Sequence, residues 1–413
     1  MKRLRVLVSA YACNPLATER SYPGEAHLGW NLVQQLSCAH DLHVLTESYN
    51  RPALENMIRR KKIANTRFHY VTLPSYFNFF LNNFLGIRLY YLFWQVAAFF
   101  YARRLCQNNS FDIFHQITFN NDWMPSFIGA FMDVPFVWGP VGGGQKIPRH
   151  LYAELSLKHR WLERIRNFGQ WFWRSAYFRN RCARRASAIL VCNSETKSLF
   201  VKYNTHIYFF PVNGISREEV SRETQKAEKG GSFTVLYAGR LDGIKAMTIG
   251  LKAFKKFSAD FSRSRLLIIG DGPEEKRLRK LAKDLNVDLA THFYHWMDRK
   301  GLLNKMRKAD VFLFPSLRDG GGQVVVEAMA SGLPVICMEL GGPAFHIQEG
   351  WGFKIKPGPI EQIIGEMTEA LRRLYLSPRL KQRLGRKARQ RSEFYFWDKL
   401  GRRLLQIYDQ VVG

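Results

Sequence analysis

Cysteine is sparse and dispersed along this 413-residue sequence. Cys13, Cys38, Cys106, Cys182, Cys192 and Cys337 form no CxxC pair and have no histidine at a zinc-ligand spacing, so neither a disulfide framework nor a metal finger organises the chain. That usage fits a reducing cytoplasm. Long apolar runs are also lacking: the longest, 89–102, is about 14 residues and is interrupted by Gln95, whereas a bilayer span needs about 20. No P-loop is present, and Gly270-Asp271-Gly272-Pro273 lacks the third glycine of a dinucleotide fingerprint, which leaves a strand-to-helix turn. Acidic residues are scarce, 34 against 62 basic ones, a net charge of +28. Such an excess predicts an anionic partner: nucleic acid, an acidic membrane face or a diphosphate-bearing small molecule.

Length alone favours two domains, since one core rarely serves so long a chain. Met1-Lys2-Arg3 followed by Val6-Leu7-Val8 has too short an apolar stretch for a secretory leader and reads as a first strand. Strand-like and helix-like pieces then alternate at 5–9, 26–36, 42–46, 52–61, 68–72, 113–115, 136–138 and 188–192. A polar, glycine-ended stretch at 214–231 reads as a linker. A second alternation covers 233–238, 247–257, 266–270, 274–285, 292–294, 300–308, 311–315, 324–330 and 334–338. The expected division is 1–213, linker 214–231, a second domain at 232–393 and an amphipathic last helix at 394–413 with Trp397, Leu400, Leu404, Ile407 and Tyr408 on one face. Short apolar strands alternating with helices indicate an α/β class with parallel sheets, whose ligands bind at the carboxyl ends of the strands.

The richest segment is 313–335, where an apolar strand ends, Asp319 appears, Gly320-Gly321-Gly322-Gln323 follow, and a helix opens that carries Glu327. Glycines let backbone approach a ligand, and the free N–H groups at a helix start attract oxyanions. Asp319 is suited to accept hydrogen bonds from sugar hydroxyls and Glu327 from ribose hydroxyls, the alternative being solvated acids on a plain turn. Upstream, Gly239-Arg240 ends another strand and Lys245 follows, so two cations converge on a diphosphate unless they merely line a solvated loop.

These elements resemble the retaining glycosyltransferases of family 4, with their GT-B fold of two Rossmann-like domains facing each other across a cleft and a last helix that crosses back to the N-terminal domain. The family's acid-x7-acid motif is met by Asp319 and Glu327, and its Gly-Arg…Lys element by Gly239, Arg240 and Lys245. The resemblance extends to Tyr22-Pro23-Gly24-Glu25, to the strand ending in His115, and to Pro135-Phe136-Val137-Trp138-Gly139-Pro140-Val141-Gly142-Gly143-Gly144-Gln145, which is similar to members that build exopolysaccharide, O-antigen or capsule. It implies that Asp319 contacts the donor sugar, Glu327 the ribose, Arg240 and Lys245 the diphosphate, and that Gly24 lets the first loop near it. It also implies that His115 faces the cleft and bonds the donor sugar or the acceptor, a lone histidine being otherwise structural. Three positions depart from the pattern: Asp319 stands where Glu is commoner, Ala246 where Gly is usual, and Glu25 where a second Gly is common.

Two aromatic stretches, 76–104 and 158–185, bear on localisation. The second interleaves Arg160, Trp161, Arg164, Arg166, Trp171, Trp173 and Arg174, a mixture suited to the headgroup layer of an anionic bilayer, against the alternative of a helix buried on its own sheet.

The expected protein is therefore a hexosyltransferase using a nucleotide-diphosphate sugar, acting on a lipid-linked glycan borne on a polyprenyl diphosphate, for surface polysaccharide. Asp319, Lys245, Arg240 and His115 are the expected catalytic residues. Gly24, Gly239, Arg240, Lys245, Gly320, Gly321, Gly322, Gln323 and Glu327 are the expected donor contacts. No cofactor, metal or nucleic acid is expected, because no Asp-x-Asp motif or nucleic-acid module is present and the two cations neutralise the diphosphate. The expected location is cytoplasmic, peripheral on the inner face of the membrane. A sugar-nucleotide epimerase on the same architecture and a non-catalytic basic scaffold are the alternatives.

Overall fold

Consecutive apolar residues such as Val6-Leu7-Val8 and Val235-Leu236-Tyr237 bury both faces of a strand, the pattern of a parallel sheet covered on each side. In the computed structural model, which describes residues 2–16, 23–60, 63–82, 84–220 and 231–413, they build two compact units. The first comprises Met1–Gly144, Gly169–Val212 and Trp397–Gly413; the second comprises Gln145–Phe168 and Asn213–Phe396.

Among the described residues the first unit holds β1 (Arg5–Ser9), β2 (Asp41–Glu47), β3 (Thr66–Val71), β4 (Ile113–Gln116), β5 (Phe136–Val141), β6 (Ala186–Val191) and β7 (Ile207–Phe209). They pair in the order β3-β2-β1-β4-β5-β6-β7, all parallel. Alternate residues feed opposite cores: Leu7, Leu45 and Phe114 lie on one side, Val6, Val8 and Val44 on the other. The helix Phe84–Asn108 covers the first side. It buries Tyr91, Trp94, Ala98 and Ala102, three or four residues apart, and each large ring removed from water contributes roughly 1.5–3 kcal/mol. Gln95, the break in the apolar run, is buried and donates to the Pro125 carbonyl at 2.7 Å. Phe93, Val96 and Phe100 remain exposed on the opposite side of the helix. The other side of the sheet is closed by the helices Pro23–Ser37 and Trp397–Val412, where Gly401 lets the two approach closely: a Cβ there would lie 2.8 Å from Gln35 Cβ. The last helix thus belongs to the first unit.

The second unit holds β8 (Phe233–Ala238), β9 (Ser264–Ile269), β10 (Thr291–Tyr294), β11 (Val311–Phe314), β12 (Val335–Met338) and β13 (Phe353–Ile355), in the order β10-β9-β8-β11-β12-β13. All the pairs are parallel, around one core. Two features differ from the sequence-based division. Residues 145–168 belong to the second unit, because Ile147, Leu151 and Leu155 enter its core. The expected linker lies in part, at 221–230, outside the described residues, as do Tyr22 and Lys61; at its start Ile215 is buried core, with its N–H on the Tyr395 carbonyl at 2.9 Å.

Candidate functional site

The order of the second sheet reverses between β8 and β11, the position at which open parallel sheets hold ligands beyond their carboxyl ends. After β8 the chain passes Gly239, at φ +148°, and Arg240, then forms a short 3-10 turn, Gly243–Lys245. The Asp242 carboxylate caps this turn by accepting the Ile244 N–H at 2.9 Å. Ala246 closes it at φ 47°, a left-handed conformation that explains why glycine suits the position. After β11 the Leu317 N–H bonds the Ile244 carbonyl at 2.9 Å, which ties the two loops together.

Their functional side chains meet. Lys245 Nζ lies 2.6 Å from Asp319 Oδ2, both largely shielded from water, and Asp319 Oδ1 accepts the N–H groups of Gly321 at 3.1 Å and Gly322 at 2.6 Å. Burial works to raise the Asp319 pKa, but the Lys245 ammonium and the two glycine amides outweigh it and hold the carboxyl below its ordinary value. Asp319 is therefore an ionised acceptor. Two of the amides expected to face a diphosphate are donated to it here.

Behind this loop stand residues that the sequence reading did not name. The Gly321 carbonyl accepts from His346 Nε2 and Asn213 Nδ2, and His346 Nδ1 accepts the Tyr395 hydroxyl at 2.7 Å. Burial lowers the His346 pKa to about 4, so the ring is neutral. Gly341, at φ 60°, sits so close that a Cβ would lie 2.2 Å from the Asp319 carbonyl oxygen, and the Gly342 N–H donates to that oxygen at 2.9 Å. The Gly341-Gly342 pair just after β12 is the one sequence signal that could have disclosed this layer.

Glu327, on the helix Gln323–Ala330, is buried; its Oε1 accepts from Gln323 Nε2 at 3.0 Å and lies 3.3 Å from Arg299 Nη2. Arg299 is a cation that the sequence reading missed. Arg240 is 72% exposed beside Asp242, at 3.5 Å, and so is open to solvent at the same strand end. At the carboxyl ends of β9 and β10, Asp271, Glu275 and His295 bring one ligand atom each within 4.8 Å of one another, the one such trio among the described residues. His295 Nδ1 already lies 2.8 Å from Asp271 Oδ1, and Glu275 also pairs with Arg279.

In the first unit, His115 corrects the expectation. It sits within β4 with no exposed surface; Nε2 lies 2.7 Å from the Gly139 carbonyl and Nδ1 lies 2.7 Å from the Tyr408 hydroxyl. A carbonyl can only accept, so Nε2 carries the proton and Nδ1 takes that of Tyr408, which leaves no ring nitrogen for a substrate. Burial, only partly offset by the Gly139 bond, lowers its pKa to about 4. Its role is structural. Gly24 lies in the first turn of the helix Pro23–Ser37, with open space where a Cβ would be.

The helix Leu157–Arg174 divides the set expected at the membrane. Glu163, Arg166, Gln170 and Arg174 form one side, turned inward. Arg166 bonds Glu163 at 3.1 Å and the Gln145 carbonyl at 3.2 Å, Gln170 bonds the Gly143 carbonyl at 3.3 Å, and Arg174 pairs with the fully buried Asp122. Arg160 is likewise engaged, with the carbonyls of Leu155 and Ala153 at 2.9 Å. The other side carries Leu157, Trp161, Ile165, Phe168 and Phe172, with Trp161 66% and Phe168 67% exposed, and Trp171, Trp173 and Arg164 are exposed beside them. The helix is thus inverted relative to an ordinary surface helix, polar side in and aromatic side out. Among the described residues no helix is long and apolar enough to cross a membrane.

Comparison with known proteins bears on this geometry. Residues 218–391 match the family model of glycosyl transferases group 1. Over 186 residues the chain is 31% identical to a D-inositol 3-phosphate glycosyltransferase of Streptomyces bingchenggensis, covering 43% of this chain and 40% of that one. It is 32% identical over 184 residues to a phosphatidyl-myo-inositol mannosyltransferase of Mycolicibacterium smegmatis, covering 44% and 46%. The matches therefore span less than half the length of these relatives. Among solved structures, sucrose-phosphate synthase from Thermosynechococcus elongatus superposes with a TM-score of 0.66 at 17% identity, over 99% of both chains. Anabaena HepE in complex with UDP superposes at 0.61 and 13%, over 98% of this chain and 100% of that one. The fold is accordingly of the GT-B type, built from two parallel-sheet α/β units, and the glycosyl transferases group 1 match falls on the residues that carry the Lys245–Asp319 pair.

Proposed function

We propose that this chain is a retaining glycosyltransferase that moves a hexose from a nucleotide-diphosphate sugar to a hydroxyl of a glycan carried on a polyprenyl diphosphate, for surface polysaccharide. The observation that carries the reading is the Lys245–Asp319 pair at the strand reversal between β8 and β11, with Arg240 exposed at the same strand end. Lys245 and Arg240 offer positive charge to a diphosphate, the ionised Asp319 accepts from the sugar hydroxyls, and Glu327 holds the ribose.

In this mechanism the acceptor hydroxyl attacks the anomeric carbon on the face that the leaving group departs. One C–O bond forms as the sugar–phosphate bond breaks, and the hydroxyl proton passes to the departing diphosphate oxygen. The chain's own contribution is electrostatic, stabilising the charge that develops on the leaving group. With two cations at that oxygen the proposal needs no divalent ion. The M. smegmatis relative is named for a phosphatidyl-linked inositol, which supports a lipid-borne acceptor, and HepE holds UDP, which supports a nucleotide donor. The outward aromatic side of the helix Leu157–Arg174 supports peripheral attachment to the inner face of the cytoplasmic membrane.

A thermal-shift and slow-hydrolysis screen across UDP-, GDP-, ADP- and dTDP-sugars tests the reading. One nucleotide sugar should raise the melting temperature and be hydrolysed slowly. Indifference to all four classes would refute it, and conversion of the donor to an epimer without hydrolysis would replace it by the epimerase.

A further inference from the structure

The aromatic side of the helix Leu157–Arg174 and the Asp319 loop are joined through one buried carboxylate. Glu163 is 3% exposed; Oε2 pairs with the guanidinium of Arg318, the residue before Asp319, and Oε1 lies 3.1 Å from Arg166 Nη1. Arg166 in turn holds the Gln145 carbonyl, and Gln145 Nε2 packs against Gly320, 2.8 Å from where its Cβ would be. One turn earlier on the same helix, His159 packs under Gly243, with Nδ1 3.1 Å from the position of a Cβ. Residues 157–168 therefore brace both loops of the site at once: the turn that carries Lys245 and the segment that carries Asp319. All of these residues belong to the second unit.

On the reverse side of the same turns, Leu157, Trp161, Ile165 and Phe168 face outward, with the cations Lys158 and Arg164 exposed beside them. Leaving an aromatic or aliphatic side chain in water forgoes roughly 1.5–3 kcal/mol relative to burial, and four such residues on one side make the exposure costly unless something covers it. Aromatics flanked by Lys and Arg on a chain of net charge +28 match an anionic lipid surface, with rings at the boundary between headgroups and acyl chains and cations at the phosphates.

We propose that residues 157–168 are a lipid-responsive brace: seating Leu157, Trp161, Ile165 and Phe168 in an anionic bilayer surface fixes Glu163 against Arg318 and sets the Asp319 loop for its ligand. Glu163 acts as a positioning residue, and the inference deepens the transferase reading, on which the identity of that ligand rests.

The test uses the full chain with phosphatidylcholine vesicles, with and without phosphatidylglycerol, read by co-sedimentation and by backbone hydrogen exchange of residues 316–322. Vesicles containing phosphatidylglycerol should bind and slow exchange in that loop by about tenfold, while pure phosphatidylcholine does neither. Glu163→Gln should bind the same vesicles without the slowing, and the Trp161→Ala, Phe168→Ala double variant should lose binding. Absence of vesicle binding, binding with unchanged exchange in the wild type, or full slowing in Glu163→Gln would each overturn the proposal. The wild-type comparison stands even if Glu163→Gln does not fold. No readout uses a nucleotide sugar, so a failed donor screen beside vesicle-dependent slowing would refute the transferase alone.

Discussion

The ammonium of Lys245 and the carboxylate of Asp319, 74 residues apart in sequence, form a 2.6 Å ion pair that joins the two loops of the strand reversal. Removing one partner leaves the other charge in a shielded place, where only the Gly321 and Gly322 amides remain to satisfy Asp319. Lys245→Ala should therefore lower stability by about 1–3 kcal/mol and slow donor cleavage by about 10²–10³-fold. Adding Asp319→Asn should recover stability but not turnover. Urea unfolding and donor hydrolysis on the wild type and the two variants separate the two effects, and near-normal turnover in Lys245→Ala would refute the role given to the lysine.

Gly341 has no room for a methyl group and has the backbone of a left-handed residue. Gly341→Ala should push on the Asp319 carbonyl and cost about 1–2 kcal/mol in backbone strain alone. Because the collision falls on the loop and not on a core side chain, nucleotide affinity should drop by about tenfold or more, or ~1.4 kcal/mol, while the far-ultraviolet spectrum is kept. Titration calorimetry with the nucleotide found in the donor screen measures this.

His115 and His346 are each neutral, buried and pinned by a tyrosine hydroxyl, and burial lowers both to about 4 from the ordinary 6.5. An unfolded chain takes up a proton at these rings below pH ~6.5, whereas the folded chain resists until near pH ~4. Stability should thus fall as the pH drops through that window, by up to on the order of 3 kcal/mol per ring. Urea midpoints measured at about pH 7 and about pH 5 should differ less in His346→Asn than in the wild type. Equal pH sensitivity would show that the ring is not the titrating group.

Arg174 and Trp161 lie on one helix yet should behave oppositely. Arg174 neutralises the fully buried Asp122, so Arg174→Ala should destabilise the protein by about 3–5 kcal/mol and leave anionic vesicle binding intact. Trp161→Ala removes a largely exposed ring; the melting temperature should hold while vesicle binding weakens. The opposite pairing of results would restore the arginines to the lipid surface.

The alternating strands and helices of both halves were legible because apolar runs bounded by Gly, Pro and polar turns carry their own period, and Asp319, the three glycines and Lys245 announce themselves within short segments. His115 misled because a strand-end histidine reads the same whether its nitrogens meet a ligand or, as here, a hydroxyl 293 residues away. His346, Tyr395 and Arg299 were missed for a related reason: each acts through a partner distant in sequence. The arginines of 158–185 were a different case. Counting them as one cluster hid a separation that their spacing contained, since Glu163, Arg166, Gln170 and Arg174 fall on one side of a helix and Trp161, Ile165 and Phe168 on the other.

The hydroxyl that satisfies His115 comes from Tyr408, on the helix that completes the first unit. While the protein is being made, residues 1–212 leave the ribosome early, yet this imidazole lacks its partner, and the apolar groove beside Leu28 and Leu32 its cover, until residue 408 has emerged. Every strand of the second sheet is synthesised before that. The usual order of domain completion is thereby reversed: the unit begun first is the last to be finished.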